Sequence, residues 1–185
     1  MPLLPFAAKS VGAEYNGERL VNYFLRPTEG VSQGVLIGRG GTVKRASLSG
    51  SVQACVDFNG KMYAIADGGL WSISGQITTR IGEVGASESV SMAVSGQQIA
   101  AVVGDFYFVS DGETVAQYFT GEVSIPRYVT YQDGYFIVAG ESSTRKDALA
   151  VSSLDDGTTF AGLDFATAES QPDEIRGLIS FGGAI

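Results

Sequence analysis

Apolar positions along this chain come in short runs or alternate with polar ones, and Gly, Asn, Asp and Ser punctuate them. Helical spacing of apolar residues is almost absent, so the pattern predicts many short strands joined by tight turns. The single stretch allowed a helical turn is 163–170, which Pro172 would end. Four segments align with one another. The first is Ala54-Cys55-Val56-Asp57-Phe58-Asn59-Gly60-Lys61-Met62-Tyr63-Ala64-Ile65-Ala66, and the second runs from Ser91 through Gly96 to Val103. The third runs from Arg127 through Gly134 to Ala139, and the fourth from Gly177 through Gly183 to Ile185. Each reads as an apolar strand, a two-residue turn ending in glycine, and a second apolar strand. Glycine suits primed hairpin turns, which need positive φ.

The turn glycines Gly60, Gly96, Gly134 and Gly183 lie 36, 38 and 49 residues apart. A second hairpin follows each of the first three, giving four antiparallel strands per repeat, which is the blade of a β-propeller. A β-sandwich or barrel with regular turns is the competing reading. The expected fold is therefore all-β: an incomplete β-propeller of about three four-stranded antiparallel blades plus an N-terminal extension. Its divisions are an arm and hairpin over 1–48 and propeller blades over 49–185, namely 49–82, 89–120, 126–162 and the start of a fourth at 175–185. Within the arm, Val35-Leu36-Ile37 and 42–47 are expected to pair around Gly38-Arg39-Gly40-Gly41. Ala184-Ile185 reads as the opening of a strand, so the chain is expected to be a fragment. Its open blade edge should then pair with another chain.

Composition narrows the chemistry. There are 12 Lys+Arg against 20 Asp+Glu and no His, for a net charge of −8. Without His, neither a Ser–His–Asp machine nor a His-ligated metal is within reach. The lone Cys55 excludes an internal disulfide; lying in the apolar stretch Val52–Phe58, it is read as a small buried core residue. An acidic chain is a poor wrapper of phosphates. The N-terminus lacks a basic signal-peptide front, and the longest aliphatic run, Ile99–Val103, falls far short of a membrane span, so a soluble protein is expected.

Candidate sites follow from this. Ser153-Leu154-Asp155-Asp156-Gly157-Thr158-Thr159-Phe160 matches the Asp-box pattern, carried by Ser153, Asp155, Gly157, Thr159 and Phe160, and similar to boxes of sialidase-like propellers. Physically it is a hairpin device: the Asp carboxylate accepts backbone N–H groups, Gly takes the strained angle, and the aromatic packs between strands. A glycosidase would need converging carboxylates, whereas neighbours such as Asp155 and Asp156 in a strand point to opposite faces. No catalytic, cofactor or metal residues are assigned. Arg39, Lys44 and Arg45 make the densest basic spot, a candidate contact for DNA or an acidic partner against the plainer reading of a solvated loop. Asp105, Asp111, Asp133, Asp155 and Asp156 fall at turns without the spacing of a calcium loop. Trp71, Tyr63, Phe106, Tyr107, Phe108, Tyr118, Tyr135 and Phe136 are expected between blades rather than on a stacking platform.

Three pieces carry a family resemblance. They are Val21-Asn22-Tyr23-Phe24-Leu25-Arg26-Pro27-Thr28-Glu29-Gly30 with Leu36-Ile37-Gly38-Arg39-Gly40-Gly41; Asn59-Gly60-Lys61-Met62-Tyr63-Ala64 with Val90-Ser91-Met92-Ala93; and Ala168-Glu169-Ser170-Gln171-Pro172-Asp173-Glu174-Ile175-Arg176-Gly177. Together they resemble the N-terminal part of the packaged-DNA-stabilisation, or tail-hub, proteins of short-tailed bacteriophages. The resemblance implies a non-enzymatic head-completion component in the virion tail, made in the bacterial host cytoplasm. It implies a ring of copies below a portal or adaptor protein that retains DNA and carries a tail fibre, spike or needle protein, without cofactors. A carbohydrate-binding or sialidase-like propeller is the alternative.

Overall fold

The computed structural model describes residues 23–27, 34–38, 44, 46–167 and 173–180. The chain divides into two compact units, Met1–Lys44 and Arg45–Ile185. In the first unit, β1 (Tyr23–Pro27) pairs antiparallel with β2 (Gly34–Gly38), Tyr23 opposite Gly38 and Pro27 opposite Gly34. This corrects the expected hairpin. Val35-Leu36-Ile37 pairs backwards with Phe24-Leu25-Arg26, and of 42–47 the described residues, Lys44, Ala46 and Ser47, are not strand. The segment before it is the better partner physically: it is rich in aromatic and branched residues, and its proline sits at the strand end, where a missing N–H costs least.

The second unit holds three four-stranded antiparallel sheets, each a meander in chain order. Sheet one is β3 (Val52–Phe58), β4 (Lys61–Ala66), β5 (Gly69–Ser74) and β6 (Ile77–Glu83). Sheet two is β7 (Val90–Val94), β8 (Ile99–Val103), β9 (Phe106–Ser110) and β10 (Val115–Tyr118). Sheet three is β11 (Ile125–Gln132), β12 (Tyr135–Glu141), β13 (Ala148–Ser153) and β14 (Asp156–Thr167). The described residues include no helix. Asn59-Gly60 and Asp133-Gly134 turn the first hairpins of sheets one and three with φ of 52°, 74°, 51° and 90°, the double positive φ of a type I′ turn.

The sheets stack as blades. First strand β7 lies against both β3 and β11, while the last strands β6 and β10 diverge. The middle strand β8 shows why the stack holds: all five of its residues are buried. Ile99, Ala101 and Val103 face sheet one, packing with Tyr63, Ile65, Leu70 and Phe108. Ala100 and Val102 face sheet three, packing with Tyr107, Phe136, Val138 and Ala150. An unbroken aliphatic run is what a strand covered on both faces requires.

Five expectations change. Residues 163–167 are strand, not helical turn: Phe165, Ala166 and Thr167 pair with Ala150, Leu149 and Ala148. The open edge of β13 satisfies their backbone, which an isolated helical turn cannot do. The turn at Gly96 spans four residues, Ser95 to Gln98, and Gly96 has no positive φ. Cys55 is exposed, because alternation along β3 sends Val56 and Phe58 toward sheet two and Cys55 to the opposite face. Of the expected aromatic filling, Tyr63, Tyr107, Phe108 and Phe136 are buried and Tyr118 and Trp71 partly so, while Phe106 and Tyr135 are exposed. Residues 173–180, which include Gly177, form no strand, and Gly183 lies outside the described residues.

Candidate functional site

The chemically richest region is the seam between sheets two and three, where three polar clasps fasten the blades. The first begins with a local turn. Ser95 Oγ accepts the N–H groups of Gln97 and Gln98 at 3.1 and 2.9 Å, and the Ser95 N–H donates to the Gln98 carbonyl at 2.9 Å. A serine closing its own turn this way competes with regular strand pairing, which is why this loop is longer than its counterparts. The extra length sends Gln98 across the seam. Its Oε1 accepts the Gly157 N–H at 2.7 Å, and its Nε2 donates to Asp156 Oδ1 at 3.5 Å.

The receiving turn is the Asp-box-like hairpin, with its roles displaced by one residue. Asp156, not Asp155, accepts within the turn: Oδ1 takes the Thr158 N–H and hydroxyl at 2.9 and 2.6 Å, and Oδ2 takes the Thr159 hydroxyl at 3.0 Å. These donors, the Thr158 hydroxyl foremost and the Thr158 N–H next, hold the Asp156 carboxyl below its ordinary pKa despite partial burial. Asp155 rather than Gly157 takes the positive φ, 53°. Asp155 accepts the Tyr131 hydroxyl, and this bond, followed by burial, raises the Tyr131 pKa. Its N–H donates to the Gly134 carbonyl at 2.6 Å, joining two turn tips of sheet three. Gly157 is needed for space: a Cβ there would lie 2.9 Å from Phe136 Cδ2 and from Tyr107 Oη. Phe160 packs edge-on against Tyr107 of sheet two, centroids 5.5 Å apart at 85°. Ser153 contributes its carbonyl, accepting the Ser152 hydroxyl at 2.8 Å. Burial, with the Asp156 charge added, pushes the Tyr107 phenol far above its ordinary range, so it stays protonated.

The second clasp joins first strands. Ser91 on β7 donates its hydroxyl to the Val129 carbonyl at 3.2 Å and accepts the Val129 N–H at 3.1 Å, capping open backbone on β11. The third is Arg127 on β11, which donates to Asp105 of sheet two and, at 3.1 Å, to Glu141 of sheet three. Burial acts to lower the Arg127 pKa, but the bonds and charges of Glu141 and Asp105 outweigh it and the net shift is upward. Nearby, Arg145 grips the buried Asp147 with two bonds of 2.8 and 2.7 Å, which raise its own pKa.

These groups build a joint. Asp155 and Asp156 are engaged by separate donor sets and do not converge on a shared point, as paired catalytic carboxylates must. Asp111 accepts the N–H groups of Thr114 and Glu113, which hold its pKa low. Asp105 is tied to Arg127, and Asp133 sits in the β11–β12 turn. Among the described residues no three His, Cys, Asp or Glu side chains gather to hold a metal ion. Of the basic spot, Lys44 is exposed, and Arg39 and Arg45 lie outside the described residues. Sequence patterns located the Asp-box turn but missed Ser91, Gln98 and Arg127. Ser95 three residues ahead of Gln98 was the available signal for the first clasp; the others depend on which sheets adjoin.

A family model described as Bacteriophage P22 Gp10, beta-propeller, matches residues 1–185. No curated protein matches the chain.

Proposed function

The chain belongs to the bacteriophage P22 Gp10 beta-propeller family, and on that premise we propose that it is a non-enzymatic virion component, a tail-hub or head-completion protein. In this reading it is made in the bacterial host cytoplasm and assembles with copies of itself in a ring. The ring adjoins a portal or adaptor protein, seals the head after DNA packaging, and anchors a tail fibre, spike or needle protein. The observation that carries the reading is the family match along the whole chain, and the clasped blade seams agree with it, since a part under load needs fastened blades. The acidic balance, −8 overall, suits a surface that DNA passes without adhering. Arg39, Lys44 and Arg45 would be the contact for DNA or an acidic neighbour.

Two measurements test this. Mass spectrometry of purified virions should find the chain among the tail proteins. Particles made without it should package DNA and then lose it. Absence from virions, or stable full heads without the chain, overturns the reading. The Asp-box-like hairpin favours a second reading, a carbohydrate-binding or sialidase-like propeller. A glycan array and a fluorogenic sialoside assay decide it, and turnover would establish that reading over the first. The engagement of Asp155 and Asp156 by neighbouring donors argues against turnover.

A further inference from the structure

Among the described residues a glycine directly follows Asn or Asp at Asn59-Gly60, Asp67-Gly68, Asp111-Gly112, Asp133-Gly134 and Asp156-Gly157. These turns differ in how firmly the glycine is held. The Gly112 N–H donates to Ser110 Oγ at 3.0 Å, and the Gly157 N–H to Gln98 Oε1 at 2.7 Å. A Cβ on Gly68 would lie 3.5 Å from the Gly85 backbone, and one on Gly134 2.6 Å from Leu154 Cδ1. Gly60 differs on both counts. A Cβ there would meet nothing within 4 Å. Its N–H donates to Asp57 Oδ1 at 3.3 Å, longer than the ~2.9–3.0 Å of an ordinary bond. The hairpin ladder does not use this nitrogen, because Phe58 pairs with Lys61 across the two-residue turn. Asn59 and Gly60 are both exposed.

We propose that Asn59 is a modification site, where the folded chain deamidates with the Gly60 backbone nitrogen as nucleophile and water as co-reactant. Asparagine is a thermolabile side chain, and a glycine after it presents the least hindered nitrogen. Gly60 N bonds to Asn59 Cγ and gives up its proton; the Cγ–Nδ2 bond breaks, and ammonia leaves carrying that proton. One water then opens the resulting imide ring. Opening at Cγ restores the peptide bond and leaves an aspartyl side chain. Opening at the main-chain carbonyl leaves an isoaspartyl link, with the main chain routed through Cγ. At the other four turns the side chain is a carboxylate, which resists such attack. The two products differ in consequence. The aspartyl product is the turn that sheet three already carries, since Asp133-Gly134 holds φ of 51° and 90° against 52° and 74° at Asn59-Gly60. The isoaspartyl product lengthens the main chain inside the turn that sets Phe58 opposite Lys61. It thereby displaces Phe58, which is 5 % exposed and packs edge-on against Tyr63 with centroids 5.8 Å apart. Either product adds one negative charge beside Asp57 to a chain already at −8. The inference is independent of the assembly proposed above.

The test uses the unaltered 185-residue chain, incubated at physiological temperature and pH and then mapped by trypsin digestion and mass spectrometry. The tryptic peptide 46–61 carries Asn59 apart from the chain's other asparagines, Asn16 and Asn22. This peptide should gain the mass by which an acid exceeds its amide. A part of it should become a substrate for an isoaspartyl methyltransferase, and the intact chain should focus one charge further to the acidic side. Far-ultraviolet circular dichroism of the same samples shows that the chain is folded throughout. Asn59→Gln should give a 46–61 peptide of constant mass. Asn59→Asp should keep the parent's urea midpoint, whereas the isoaspartyl fraction, separated by chromatography, should unfold at lower urea. A 46–61 peptide that stays amide in the folded chain overturns the proposal, whether or not the urea-unfolded chain converts. So does conversion confined to Asn16 in peptide 10–19. An isoaspartyl fraction as stable as the parent overturns the displacement of Phe58. The mapping needs no variant, so it stands even where a substitution prevents folding.

Discussion

Strands β4 and β8 occupy the same slot in successive blades, yet they live in different surroundings. On β8 every residue is buried, odd positions against sheet one and even positions against sheet three. On β4, Tyr63 and Ile65 are buried against sheet two, while on the other face the small Ala64 and Ala66 are buried and Met62 is half exposed. The turns that lead into them differ, a two-residue Asn59-Gly60 turn before β4 and a four-residue loop before β8, and β8 is wholly aliphatic where β4 opens on Lys61. Position in the stack matches this: among the described residues β8 has a sheet on each side, and β4 has one.

The largest test of that contrast compares truncations at the shared slot. Phe136→Ala should cost about 3–5 kcal/mol and Ile99→Ala about 2–5 kcal/mol in urea unfolding of the monomer, because both leave cavities. Met62→Ala should stay within about 0.5 kcal/mol, as for ordinary surface positions. Equal costs at Ile99 and Met62 would erase the distinction between covered and open faces. Next comes Gly157→Ala, where the new methyl meets the Phe136 ring and the Tyr107 hydroxyl; overpacking of this kind costs about 1–3 kcal/mol. A stability equal to the parent's would show the seam to be looser than these distances. Gln98→Ala removes a neutral hydrogen bond across the seam and should cost about 1 kcal/mol, with faster hydrogen exchange at the Gly157 amide. Unchanged exchange there would remove Gln98 from the clasp.

The smallest effect is a pH dependence. The folded Asp156 carboxyl lies below its unfolded value, so its contribution is present above that value and disappears as pH falls through the folded one. Stability should therefore be level near neutrality and fall as pH drops below ~4. Asp156→Asn should be less stable than the parent at neutral pH and should show a shallower acid limb. Parallel acid limbs in parent and variant would count against the role assigned to its Thr158 donors.

Much of this was legible from the chain. The glycine turns and alternating runs marked the three meanders, and the box from Ser153 to Phe160 marked a hairpin. The errors had identifiable physical causes. Residues 163–167 look ambiguous alone, and the waiting edge of β13 made them strand. Val35-Leu36-Ile37 was expected to pair with 42–47, and the aromatic-rich β1 pairs with it instead. Cys55 sits in an apolar stretch, but a period of two places neighbours on opposite faces, and among the described residues only the Val56 and Phe58 face of β3 is covered by another sheet. In the box, the general pattern assigned acceptor duty to Asp155, while the register of this hairpin handed it to Asp156.

What the sequence determined by itself is local: where the chain reverses, through Asn-Gly and Asp-Gly pairs that tolerate positive φ, and which positions alternate between two faces. What the tertiary structure decided is which of those faces acquires a neighbour, and which side chains reach across to fasten it. Ser91 and Gln98 owe their partners to strands 38 and 59 residues away, and Arg127 to a turn 22 residues away. Backbone propensity acts within a few residues, whereas contacts between stacked sheets depend on how whole blades meet.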